Sequence, residues 1–125
     1  MRDVSAYGGR ISVTEVLSAV GLSNFDGIDP EVVSDAAQRG KEVHEWTTIV
    51  DGGGEVPHSD LDPRIAGCVL AYQEFIEAVN PKIVASEQVV INDEWGYAGK
   101  LDRVFKMKRK DWPGTVLVLT DIKCP

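Results

Sequence analysis

The residue period changes at Asn80-Pro81, and that change restricts the fold more than any other feature of the 125-residue chain. Before it, Ile65, Val69, Tyr72, Ile76 and Val79 recur at three- and four-residue steps, the stripe of a helix facing a core. After it the pattern is that of strands. Lys82 to Ile91, Trp95 to Met107 and Thr115 to Lys123 are β-rich, separated by Asn92-Asp93-Glu94 and by a turn at Pro113-Gly114. Upstream, Ser12 with Glu15 three residues on has the form of a capping box, and Gly21 ends that short helix. Asp29-Pro30-Glu31 and Asp62-Pro63 are start signals for two further helices, the first of which stops at Gly52-Gly53-Gly54. The expectation is an α+β fold of one domain over residues 1–125. Helices over about 12–80 pack on a three-stranded antiparallel meander over about 82–123.

Composition excludes several classes. A hydrophobic content of 43% with 26% charged residues rules out wholesale disorder. No apolar run approaches the ~20 residues of a membrane span. Met1-Arg2-Asp3-Val4-Ser5 lacks the apolar core of a signal peptide, so a cytoplasmic protein is expected. Cys68 and Cys124 fit neither a disulfide framework nor a metal-binding CxxC, and Cys68 reads as helix packing.

The net charge of −7 hides a division along the chain. Residues 1–99 hold 6 Lys and Arg against 17 Asp and Glu, whereas residues 100–125 hold 7 against 3. The basic residues Lys100, Arg103, Lys106, Lys108, Arg109, Lys110 and Lys123 mark this end as the one to meet an anion. A solvated hairpin tip accounts equally well for Lys106 to Lys110.

The last strand is apolar on both faces until Asp121 and Lys123, which point to one side because they are two apart. Directly opposed residues of an antiparallel hairpin have a constant index sum. Pairing Asp102 with Asp121 centres the hairpin within Lys110-Asp111-Trp112-Pro113-Gly114, where the turn chemistry lies. Two adjacent carboxylates repel unless one is protonated or a cation lies between them. Mg²⁺ suits such a pair, with waters and phosphate oxygens completing its shell. The alternative is an Asp102–Lys123–Asp121 ion pair without catalytic role.

Gly96-Tyr97-Ala98-Gly99-Lys100-Leu101-Asp102, followed 19 residues later by Asp121-Ile122-Lys123, resembles the PD-(D/E)XK nuclease superfamily. The nearest branch is that of RecB-like and lambda-type phage exonucleases. Gly40-Lys41-Glu42-Val43-His44 is similar to the Gly-x-x-x-His helix of RecB-like members. The resemblance covers roughly residues 12–124. It implies a restriction-endonuclease-like core and a Mg²⁺- or Mn²⁺-dependent deoxyribonuclease of phage or recombination and repair type, with DNA as partner. His44, Asp102, Asp121 and the Ile122 carbonyl would hold the metal. Asp102, Asp121, Lys123 and Glu87 would be catalytic, and Lys100, Arg103, Lys108, Arg109 and Lys110 would contact DNA.

The residues leave some of these assignments open. Val33, Ala37, Gly40, His44 and Thr47 share a helix face, and a histidine there is more often a core residue than a ligand. Gly40 offers close approach of that helix to the sheet. Glu87, on the same face as Ile83, Ala85, Val89 and Ile91 by alternation, either supports the metal or pairs with Lys100. Trp95 and Tyr97 suit base stacking, with core packing the plainer expectation. Gly96 and Gly99 suit a bulge or close backbone approach. His58 reads as a loop residue apart from the site. The family's core continues with a helix and a further strand after Asp-x-Lys. The expectation is therefore of a C-terminally incomplete domain whose sheet edge and one apolar face lie open. The competing functional reading is a non-catalytic nuclease-like remnant or interaction module completed by a partner chain.

Overall fold

Each helix begins where a short polar side chain can take up an orphan backbone N–H. In the computed structural model, which describes residues 7–22 and 25–124, Ser12 accepts from the Glu15 N–H at 3.1 Å and opens α1 (Val13–Ala19). Asp29 accepts from Glu31 and opens α2 (Pro30–Asp51). Asp62 accepts from Arg64 and opens α3 (Pro63–Val79). The last helix ends at Asn80 in the left-handed conformation, φ 48°, just before Pro81. A 3₁₀ turn at His58–Asp60 leads into α3, with His58 Nε2 2.7 Å from Gln73 Oε1.

The sheet is built around β3 (Tyr97–Lys108). β2 (Lys82–Asn92) pairs antiparallel along one edge, and β4 (Thr115–Thr120) pairs antiparallel along part of the other. The remainder of that second edge takes β1 (Ile11–Ser12), parallel, through Ile11 opposite Tyr97 and Ser12 opposite Ala98. The sheet thus has four strands and is mixed, which corrects the expected antiparallel meander of three. A two-residue strand immediately before a capped helix has too short a pattern to be read in sequence. Gly99 lets α1 lie against β3: an added Cβ would stand 2.9 Å from Val13 Cγ2. Gly40 has no such role, because an added Cβ there would meet nothing within 4 Å.

β2 departs from regular strand geometry twice. The register shifts between Ile83 and Ala85, and Glu87 takes a positive φ of 51°. Glu87 stands on the rung opposite Asp102, where the ladder is interrupted between the Ser86–Arg103 and Gln88–Leu101 pairs.

The core lies between helices and sheet. Val43, Ile65 and Val69 form its buried centre, and Trp46, Val50, Ile122 and Cys68 pack around them. Phe105 is fully buried with its ring 5.6 Å from that of Phe75, a burial worth about 1.5–3 kcal/mol. The outer face of β4 is bare, with Leu117 and Leu119 63% and 66% exposed. Trp95 is also exposed, at the tip of the β2–β3 turn, and Tyr97 is only partly covered, so neither is a core residue.

Cys68 of α3 and Cys124 form a disulfide with Cα atoms 5.9 Å apart. This overturns the reading of the two cysteines as unconnected. The bond closes a loop across 56 positions, too long for spacing to announce it. It ties the end of the Asp121-x-Lys123 segment to the helical layer. No helix among the described residues is long and apolar enough to cross a membrane.

Candidate functional site

Arg103–Thr120 is the last pair of the β3–β4 ladder, and the same register puts Asp102 opposite Asp121. The strand stops there because the next backbone donor finds a side chain instead of a carbonyl. The Ile122 N–H donates to Asp102 Oδ2 at 2.7 Å. Ile122 turns its side chain into the core, and Asp121 and Lys123 project from the other side. Lys123 Nζ lies 2.9 Å from Asp121 Oδ2, with the lysine 82% exposed.

Asp102 is buried while its neighbours are partly open. Its other oxygen, Oδ1, stands 3.4 Å from His44 Nδ1 of α2. The carboxyls of Asp102 and Asp121 stand within hydrogen-bonding reach of each other. Burial, then the bond to Asp121, hold the Asp102 carboxyl above its usual range, against the opposing pull of the Ile122 N–H and His44. Asp121 is held below the usual range by the bond from Asp102 and then by Lys123. The inner acid thus holds its proton more tightly than the outer one, the order that burial on one side and Lys123 on the other impose. Lys123 is in turn held above its ordinary value by the hydrogen bond to Asp121.

An open cleft of about 570 Å³ runs between α2 and the sheet, with His44, Glu87, Lys100 and Asp102 on its walls. Sequence reasoning missed Lys41, Glu45 and Thr48, which also line it. Lys41, His44, Glu45 and Thr48 are three, four and seven positions apart, the spacing of one helix face, so the signal was present once His44 was singled out. Glu87 is engaged with Lys100 at 3.8 Å, the pairing that was its alternative reading.

Among the described residues no three His, Cys, Asp or Glu side chains converge into a ready-made metal cage. His44 and Asp102 meet instead at 3.4 Å, with Asp121 on the rung opposite Asp102. Arg103 does not face DNA. It is 1% exposed and bound to Asp51 at 2.7 Å, because its neighbour Asp102 takes the opposite face of the strand. Lys108, Arg109 and Lys110 lie at the far end of the β3–β4 hairpin. That is roughly 20 Å along the strand from Asp102 at ~3.3 Å per residue, and Arg109 there pairs with Asp111 and stacks over Trp112. His58 is also remote, on the turn before α3.

Comparison of the chain with protein-family models, curated proteins and solved structures returns no match.

Proposed function

We propose that the chain carries the metal-binding part of a Mg²⁺- or Mn²⁺-dependent deoxyribonuclease, exonuclease-like and of phage or recombination and repair type. The observation that supports it is the meeting at Asp102 of three groups from two other segments: His44 on α2, and Asp121 with the Ile122 N–H after β4. A buried acid pressed against a second acid is unfavourable as architecture. It is a common state of sites built to hold a cation or move a proton.

The two carboxylates and the Ile122 carbonyl suit a hard divalent ion, with the His44 imidazole a softer fourth donor. When bound, the ion would neutralise phosphate charge and acidify a coordinated water. Within the chain, Lys123 stands on the solvent side of Asp121, where it can stabilise charge developing on a phosphoryl oxygen. Lys100 offers a phosphate contact in the cleft, and Glu87 holds that lysine until substrate displaces it. Lys108, Arg109 and Lys110 are placed to meet only DNA that extends well beyond the cleft.

The test is incubation of the protein with linear duplex and single-stranded DNA, with and without Mg²⁺ or Mn²⁺. Cation-dependent degradation that disappears in Asp121→Ala supports the reading, and equal cleavage by that variant ends it.

A second reading is a non-catalytic module whose sheet docks a partner chain. It is favoured by the exposure of Leu117 and Leu119 side by side on β4. Absence of divalent affinity, with Asp102→Ala behaving as the parent, would select it.

A further inference from the structure

Behind the acid pair lies a buried polar network that the proposed hydrolysis does not use. Arg103 Nε donates to Asp51 Oδ2 at 2.7 Å, and the Tyr72 hydroxyl donates to Asp51 Oδ1 at 2.6 Å. The guanidinium also lies 6.0 Å from the centre of the Tyr72 ring. Its other two nitrogens point elsewhere. Nη1 donates to the backbone carbonyl of Asp102 at 2.8 Å. Nη2 donates to Thr47 Oγ1 at 3.1 Å, and that hydroxyl donates to the backbone carbonyl of His44 at 2.8 Å.

We propose that Arg103 is a positioning residue that sets the spacing of His44 and Asp102. The proposal rests on the reading that these two side chains hold the cation. One arm of the guanidinium ends on the backbone of Asp102, and the other reaches the backbone of His44 through a single hydroxyl. An ion pair serving stability alone needs only Asp51. Apolar groups often replace a buried ion pair with no loss of stability, so geometry is the better account of this one. The rigid planar fork carries the argument. A lysine at 103 would supply charge without holding two directions at once. The network joins β3 to α2 at the rung where the candidate ligands meet, and Tyr72 extends it to α3.

Thr47→Val preserves shape and removes the hydroxyl link, whereas Thr47→Ser restores the hydroxyl. Two readouts are taken on each full-length variant: the imidazole ¹⁵N signals of His44 in metal-free protein, and Mg²⁺ and Mn²⁺ affinity by calorimetry. Thr47→Val and Arg103→Lys are expected to shift the His44 signals and weaken metal binding by roughly tenfold or more, in the range of groups that orient ligands. Thr47→Ser is expected to match the parent in both. A merely structural role would lower the melting temperature of Thr47→Val and leave the ring signals in place, which overturns the proposal. If the parent binds neither cation, the metal reading falls and the clamp is judged on the His44 signals alone. Should Thr47→Val fail to fold, Tyr72→Phe, which frees one oxygen of Asp51, is expected to shift the same signals. Unchanged signals there overturn the proposal.

Discussion

Asp102 and Asp121 face each other one rung beyond the last ladder pair of the β3–β4 hairpin, within hydrogen-bonding reach. Asp102 is buried and Asp121 is half-exposed beside Lys123. The inner acid is therefore the weaker of the two and the outer one the stronger. Several consequences can be measured.

The first concerns pH. The Asp102 carboxyl is raised in the folded chain from 3.8, so its proton contributes stability that is fully present below that value. That contribution is lost as pH rises through the raised value, because the folded state binds the proton more tightly than the unfolded one. Asp102→Asn keeps an acceptor for the Ile122 N–H and a donor to Asp121 without carrying a titrating proton. In metal-free buffer it should melt higher than the parent at pH 7, by about 4 °C for each 1 kcal/mol at this chain length. Its stability should also fall less between pH 4 and pH 8. Thermal melts across that range check this, and a lower melting temperature at pH 7 would contradict it.

Because burial and Asp121 hold the Asp102 carboxyl above its usual range, a cation bound there competes with a proton. Mg²⁺ should therefore raise the melting temperature of the parent, by more at pH 8 than at pH 5, and binding should expel protons. Calorimetry in two buffers of different ionisation enthalpy reads the proton count directly. The stabilisation by Mg²⁺ should vanish in Asp102→Asn, the variant expected to be the more stable without metal.

The charged end of Lys123 pairs with Asp121 and is largely solvated. Lys123→Ala should leave the melting temperature within the small range of surface substitutions, about 0.5 kcal/mol. On the proposed mechanism it should lower kcat for DNA cleavage by about 100-fold or more, as loss of one charge-stabilising donor does. A variant with full kcat would remove Lys123 from the chemistry.

The Cys68–Cys124 bond constrains the unfolded chain through a 56-position loop, worth roughly 4 kcal/mol by chain entropy. Reduction should lower the melting temperature by on the order of 10 °C. Cys68→Ser should melt like the reduced parent and ignore reductant. Because Cys124 adjoins Lys123, reduction should also weaken Mg²⁺ binding. Melts and metal titrations with and without reductant, alongside thiol counting, provide the measurement.

What the sequence determined by itself is local. The helix starts at Asp29 and Asp62, and the pairing of Ser12 with Glu15, follow from groups two or three residues apart, where side-chain reach leaves little choice. The register that brings Asp102 opposite Asp121 is legible for the same reason, since a short turn fixes the index sum of every rung before it. Tertiary structure alone decided the rest. Arg103 looked like a DNA contact until Asp51 and Thr47, 52 and 56 positions away, claimed its guanidinium. Cys68 and Cys124 became partners because α3 packs beside the end of the hairpin. Glu87 takes a positive φ beside a gap in the ladder, which alternation does not foresee. Each of these depends on which distant segment arrives, and on burial turning a charge that water would hold cheaply into one that needs a partner.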